Sequence, residues 1–295
     1  MTRALVLGGG GPVGIAWEAG LLAGLAEGGV RAAEADFIVG TSAGSVVGAL
    51  LALGRAPADI AGPIIAEADR PRTIPAQAAE NRTGAPDMAL LFQKMQEAAS
   101  GARDPAEVRR EIGAFSLEAR TADEATFIGG FGKQLAESGE GSWPGHGYAC
   151  TAVDCETGEF VVWNAESKVP LSRAVASSCS VPGVFPAITL NGRKYMDGGM
   201  RSATNADLAK GHAKTLLVAV RLGSGEFAER MMKPLEAEMA VIRAAGGAVE
   251  LVVPDDASLA AFGSNLMNPR QRPGSARAGL EQGRRIAEGL RGFWG

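Results

Sequence analysis

The sequence predicts an α/β protein built on a mainly parallel sheet. Two apolar runs, at residues 4–7 and 37–39, each stop at glycine and are each followed by an apolar repeat of helical period. A short run that is apolar at every position reads as a strand buried on both faces, the condition of a parallel sheet. Further apolar runs at 148–153, 215–221 and 249–253 alternate with helical stretches and extend the same architecture. With 295 residues, 46% hydrophobic and 21% charged, the chain has enough apolar material for a sizeable core, and the composition excludes a disordered chain.

The elements follow in order. After the strand at 4–7, Gly8 to Gly11 form a loop, and Pro12 stands at a first helical position, where its missing N–H costs nothing. Ile15, Ala16, Ala19, Leu22 and Leu25 keep helical spacing until Gly28-Gly29 stops the helix. The strand at 37–39 ends at Gly40, and 43–53 reads as a second helix closed by Gly54. Between 57 and 144 the apolar pattern weakens. Helical stretches at 87–99, 105–112 and 122–136 are punctuated by Pro, Gly, Ala and charge, so the expectation is one domain over 1–295 carrying a helical insertion. Strands return at 148–153 and 160–163 around the turn Glu156-Thr157-Gly158, and 170–177 reads as a helix. Residues 188–190 and 193–196 flank Asn191-Gly192, a hairpin signal because both central positions need positive φ. Helices are expected at 227–245 and 276–290. No internal repeat and no long linker interrupts this pattern.

Composition also narrows the function. A net charge of −4 with no basic run argues against a nucleic-acid partner. Three cysteines, Cys150, Cys155 and Cys179, are an odd number and read as buried free thiols rather than a disulfide framework. With two histidines in the chain a zinc site would need carboxylates as well, so neither a metal nor a cofactor is expected. No segment reaches the ~20 apolar residues that span a bilayer. The first residues lack the apolar core and cleavage site of a signal peptide. The expectation is a cytoplasmic protein whose membrane contact is peripheral and transient. The stretch 227–242, with Met231, Met232, Leu235, Met239 and Ile242, either faces the core or touches a membrane surface. The spaced arginines of 270–291 read as a solvated helical face, and Trp143 and Trp294 as interfacial anchors or edge packing. No feature specifies an oligomeric state.

Three constellations can carry chemistry. Gly40-Thr41-Ser42-Ala43-Gly44 matches the G-x-S-x-G nucleophile elbow, in the strand–turn–helix setting that the elbow requires. A serine on so tight a turn projects its hydroxyl from the backbone, while Gly40 and Gly44 remove Cβ atoms that would clash. The plain alternative is a βα loop with Ser42 as helix N-cap. The second constellation, Gly8 to Gly14, contains G-x-G-x-x-G at Gly9, Gly11 and Gly14, which opens a nucleotide-binding reading. That reading needs an acid at the end of the next strand, and Asp36 precedes the strand instead. Alternatively, the amides of Gly9, Gly10 and Gly11 form an oxyanion hole beside Ser42, or the loop is a bare turn. The third, Asp197-Gly198-Gly199, follows the strand at 193–196 and reads either as turn chemistry or as the base a serine nucleophile needs. His146 and His212 are the only histidines, and Ser42, Asp197 and His212 run in the order of a hydrolase triad, so a triad stays open beside a dyad.

In order and spacing, the glycine loop, the G-T-S-A-G elbow and the D-G-G turn together resemble the patatin-like phospholipases. The segment 172–186, Ser-Arg-Ala-Val-Ala-Ser-Ser-Cys-Ser-Val-Pro-Gly-Val-Phe-Pro, is similar to that family's stretch ahead of its D-G-G. The resemblance implies a three-layer α/β/α fold and a lipid acyl hydrolase with a Ser–Asp dyad that needs no metal for its chemical step. It implies Ser42 as nucleophile, Asp197 as base, and the amides of Gly9, Gly10 and Gly11 as oxyanion hole. Gly40, Gly44, Gly198 and Gly199 would support the two motifs, and a phospholipid or other acyl ester would be the substrate. The chain departs from the family pattern twice. Val13 stands where the family's loop carries Arg or Lys, and Ser202-Ala203-Thr204-Asn205-Ala206 replaces an Asn-Pro-like stretch after D-G-G. The other readings are a nucleotide-binding protein that uses the Gly9 to Gly14 loop and a catalytically weak patatin-like scaffold.

Overall fold

The computed structural model describes residues 1–69, 93, 94, 97, 103–135, 143–145, 147–220 and 226–295. Most of the helix expected at 87–99, His146 and Arg221 lie outside the described residues. The strands are β1 (Arg3–Leu7), β2 (Phe37–Gly40), β3 (Gly147–Asp154), β4 (Phe160–Trp163), β5 (Ile188–Leu190), β6 (Arg193–Asp197), β7 (Lys214–Val218) and β8 (Ala248–Val252). They form one sheet in the order β5-β6-β3-β2-β1-β7-β8, with β4 paired to β3. The run from β3 to β8 is parallel, and β4, β5 and β6 are antiparallel additions. Asn191 and Gly192 join β5 to β6 at φ 50° and 79°, as the hairpin motif requires.

Register places the loops that matter. Leu7 pairs with Gly40 and with Val218, so β1, β2 and β7 end at one level and the glycine loop emerges beside the G-T-S-A-G turn. Gly40 pairs with Cys150 on β3, and two residues further along β3 Ala152 pairs with Asp197. Segments far apart in sequence therefore meet at the carboxyl edge of the parallel strands, where open α/β sheets place their sites.

The helices described are α1 (Gly11–Glu27), α2 (Ala43–Ala52), α3 (Pro57–Ala66), α4 (Pro105–Glu118), α5 (Glu124–Leu135), α6 (Leu171–Ser178), α7 (Glu226–Ala244), α8 (Asp256–Phe262) and α9 (Arg272–Trp294). Strand side chains alternate between two cores. Leu5, Leu7, Ile38, Leu216 and Val218 pack under α1, α2, α3 and α9, while Ala4, Val6, Val39 and Leu217 pack against Leu235, Met239 and Ile242 of α7. The result is the expected three-layer α/β/α arrangement. The described part of α7 thus faces the core; the side chains of Met231 and Met232 are not among those described.

Close helix packing explains the abundance of Ala and Gly. A Cβ on Gly20 would lie 2.0 Å from the Ala276 carbonyl oxygen, and one on Gly279 would lie 2.3 Å from that of Trp17, so α1 and α9 touch backbone to backbone. Helix α3, at the start of the stretch read as an insertion, belongs to this same layer, because Ile60, Ala61 and Ile64 give it one apolar face that is buried against the core. Trp294 is buried with its indole N–H donating to the Arg31 carbonyl, and the partly buried Trp143 donates to that of Val169, so both indoles are tied into the fold. Arg272, Arg284 and Arg285 of α9 pair with Glu67, Glu27 and Asp255 on the surface. Cys150, Cys155 and Cys179 are buried free thiols. Among the described residues no helix is long and apolar enough to cross a membrane.

Candidate active site

Ser42 sits between β2 and α2 at φ 51° and ψ −115°, a backbone state that non-glycine residues rarely adopt and that costs of order 1–3 kcal/mol. Local contacts hold it there. The Ser42 amide donates to Ser178 Oγ at 3.0 Å. Its carbonyl accepts from Ser45 Oγ at 2.6 Å and from Cys179 Sγ at 3.2 Å. The turn is tight enough that a Cβ on Gly40 would lie 2.3 Å from the Gly44 carbonyl oxygen and one on Gly44 would lie 2.2 Å from that of Leu7. Ser42 occupies the N-cap position of α2, but its hydroxyl makes no capping bond to the helix. The side chain is instead turned to the edge of a cleft.

Asp197 ends β6 and is 2% exposed. Its amide donates to the Ser180 carbonyl at 3.0 Å, and its Oδ1 accepts from the Gly199 amide at 2.7 Å. Oδ2 is buried with no hydrogen-bond partner among the described residues. Burial pushes the carboxyl up to about 7, while the nearby Ser42 hydroxyl and the Gly199 amide pull it partly back. The Ser42 hydroxyl lowers the carboxyl as a hydrogen-bonding neighbour does, yet Oδ2 makes no full hydrogen bond among the described residues, a looseness common in resting sites that tighten on substrate. Gly198 is required by space, because a Cβ there would lie 2.1 Å from Thr151 Oγ1.

The glycine loop lies directly alongside. A Cβ built on Gly9 would be 3.4 Å from that of Ser42. The Gly9 amide, however, is engaged by the Ala203 carbonyl at 2.7 Å, and that of Gly8 by Val218 at 3.0 Å. Val13 donates to the Leu266 carbonyl, and Pro12 has no N–H. No described residue accepts from the amides of Gly10 and Gly11, which stand at the N-terminus of α1. The positive ends of α1 and α2 thus converge on one point, a setting that favours negative charge. Val13 is fully buried in the apolar core, so the position that is cationic in the family pattern supplies no charge to the loop.

Two supports were not legible as such in the sequence. The segment Ser177 to Ser180 clamps both candidate residues at once, through Ser178 to Ser42 and Ser180 to Asp197. Asn205, fully buried at φ 49°, extends its Nδ2 to Thr41 Oγ1 at 3.0 Å and to the carbonyls of Ser202 and Gly198 at 2.8 and 3.3 Å. It therefore ties the residue before Ser42 to the turn after Asp197. Its place within the stretch that departs from the family pattern was the available signal. Asn205→Ala is expected to lower stability by about 3 kcal/mol, because it strands buried polar groups and puts alanine in a left-handed conformation. It is also expected to lower kcat more than it changes KM. Denaturant unfolding and steady-state kinetics on one ester check both effects.

Other sequence candidates lie elsewhere. His212 stacks on Phe37 at 5.3 Å and its Nδ1 contacts the Ala209 carbonyl, at the amino end of β2, whereas Ser42 follows the carboxyl end. Asp36, the acid nearest to a nucleotide-type fingerprint, accepts from the Arg3 amide at that same far edge. Glu18 of α1, which no sequence motif singles out, is by contrast buried near the glycine loop: neither oxygen is partnered among the described residues, and burial raises its carboxyl well above the usual range, with the Gly8 backbone pulling it partly back.

Residues 5–210 match the family model described as patatin-like phospholipase. The chain belongs to the patatin-like phospholipase family. That membership puts this patatin-like chain among lipid hydrolases. Its fold is similar to the crystal structure of VipD from Legionella pneumophila, at 14% identity over 98% of this chain and 67% of that one, with a TM-score of 0.45. It is also similar to the type III effector protein ExoU, at 17% identity over 98% and 53% of the two chains, with a TM-score of 0.41. A third similar structure is full-length ExoU in complex with SpcU, from the type III secretion system of Pseudomonas aeruginosa, at 19% identity over 96% and 52%, with a TM-score of 0.37. The patatin-like chain thus spans about half the length of ExoU. No curated protein sequence matches it.

Proposed function

We propose that this protein is a serine acyl hydrolase that cleaves carboxylic esters of phospholipids or related lipids through a Ser–Asp dyad. The observation that carries the reading is a buried carboxyl, with Oδ2 unpartnered among the described residues, held next to a serine in a strained turn. Ser42 Oγ attacks the ester carbonyl carbon and its proton passes to Asp197. The tetrahedral intermediate collapses, the C–O bond to the alcohol breaks, and the alcohol leaves with the proton from Asp197. Water then attacks the acyl-enzyme, gives its proton to Asp197, and the fatty acid departs as Ser42 recovers a proton. A carboxyl poised near neutrality suits both halves of this cycle. The position of His212 at the opposite edge of the sheet takes that imidazole away from Ser42 and supports a carboxylate base. Because Gly9 is committed to Ala203, the oxyanion falls to the amides of Gly10 and Gly11.

The test is covalent. A fluorophosphonate probe on the folded protein is expected to modify Ser42, read by peptide mass mapping. An adduct on Ser45 or Ser178 with Ser42 unmodified overturns the assignment. The oxyanion loop has its own test. A Cβ on Gly10 would lie 2.8 Å from Gly14 Cα and 2.7 Å from Val220 Cγ2, so the loop must shift and carry its N–H away. Gly10→Ala is therefore expected to reduce kcat by ~10²-fold, the usual worth of one oxyanion donor. Wild-type turnover in that variant would remove the loop from the mechanism.

A further inference from the structure

The cleft at Ser42 is almost wholly apolar and partly open, and the space within it is at most about 360 Å³ with the solvent at its mouth included. Ile15 of α1 and Met267 line it together with three phenylalanines that form an aromatic wall. Phe127 and Phe131, one turn apart on α5, meet edge to face at 5.0 Å, and Phe127 stacks on Phe185 at 4.6 Å. This wall is anchored. Glu124, one turn before Phe127, accepts from the Thr189 amide and hydroxyl at 2.9 and 2.8 Å. It also takes Arg173 at 2.8 Å and Lys194 at 3.0 Å. Four donors from α6, β5 and β6 therefore pin the start of α5 against the sheet, and the aromatic wall has little freedom to retreat.

We propose that Phe127, Phe131 and Phe185 form a fixed ruler that limits the enzyme to esters of one short or medium acyl chain. The inference rests on the acyl-hydrolase reading above and adds the substrate class. A methylene occupies roughly the ~30 Å³ that a water takes in the liquid, so even the full cleft holds about a dozen such groups. A chain of sixteen or eighteen carbons exceeds it. Each methylene that enters an apolar site adds about fourfold to transition-state binding, and each that stays outside adds nothing. The acyl-length profile therefore rises and then breaks where the ruler ends.

The experiment measures kcat/KM on monomeric p-nitrophenyl esters from acetate to palmitate. Wild type is expected to climb by about fourfold per methylene and to break at or before about ten carbons. Phe131→Ala and Phe127→Ala are expected to move the break about two to four carbons longer, by the volume each ring vacates. Phe131→Trp is expected to move it shorter and serves if the alanine variants do not fold. A wild-type optimum at palmitate, or a break that neither enlarging nor filling the wall moves, overturns the ruler and leaves acyl hydrolysis standing. No hydrolysis at any length, with Ser42 unlabelled by fluorophosphonate, overturns the acyl-hydrolase reading itself.

Discussion

Ser42→Ala is expected to lose at least ~10⁴-fold in ester turnover and all fluorophosphonate labelling, the scale of loss when a hydrolase gives up its nucleophile. The fold is expected to survive. The backbone contacts that hold the turn, from Ser178, Ser45 and Cys179, do not involve the Ser42 hydroxyl. Ser42→Gly is a sharper companion. It removes the nucleophile and also the strain of a side chain at φ 51°. It should be as inactive as the alanine variant and at least as stable as wild type, because relief of strain offsets the entropy that glycine adds to the unfolded chain. Thermal melts beside kinetics on one soluble ester give both readings. Turnover above a hundredth of wild type in either variant would show that another nucleophile works.

Asp197→Asn is expected to abolish turnover while raising stability at neutral and alkaline pH. The carboxyl is moved from 3.8 up to about 7 by burial, with partial opposition from Ser42 and Gly199. A folded-state value above the unfolded one means that the fold prefers the protonated form. This contribution to stability is complete below about pH 4 and is lost as pH rises through about 7. Three pKa units correspond to about 4 kcal/mol at most. Asparagine keeps the acceptor for Gly199 and carries no charge. It should match wild type near pH 4 and exceed it above pH 7. Glu18 is raised by burial in the same direction, so the difference between wild type and Asp197→Asn, not the wild-type curve alone, isolates the Asp197 term. Activity runs the opposite way: kcat/KM of wild type should rise with pH through a limb near 7 as the base ionises. His212→Ala should stay within about tenfold of wild type, since a general base is worth ~10²–10⁴-fold and the ring stacks on Phe37, away from Ser42. A fall in His212→Ala equal to that in Asp197→Asn would make the base an imidazole.

Both predictions combine information of two kinds. Strand and helix positions were legible because periodicity and glycine punctuation act over a few residues: the runs at 4–7 and 37–39 became β1 and β2, and Asn191-Gly192 became the β5–β6 turn. Stretches between 57 and 144 read as an insertion because their apolar pattern is weak. The burial of Ile60, Ala61 and Ile64 shows that α3 joins the core layer all the same. The serine motif was legible because an elbow needs small residues on both sides within five positions, and the steric limits at Gly40 and Gly44 are those the motif implied.

What the sequence determined by itself is local: the α/β alternation, the types of residue at each strand end, and the motifs that mark the family. Tertiary structure decided what those residues can do. Asp197 acquires its raised carboxyl from burial, which no neighbour in sequence supplies. The division of the glycine loop, with Gly9 tied to Ala203 and Gly10 and Gly11 without an acceptor among the described residues, depends on a carbonyl far along the chain. Asn205 gains its place from Thr41 and Gly198, and the aromatic wall of the cleft from Glu124 pinned to Thr189, Arg173 and Lys194. The physical reason is range. Backbone preference and side-chain period are set by adjacent residues, whereas desolvation and hydrogen-bond partners are set by whatever the folded chain brings within a few ångströms.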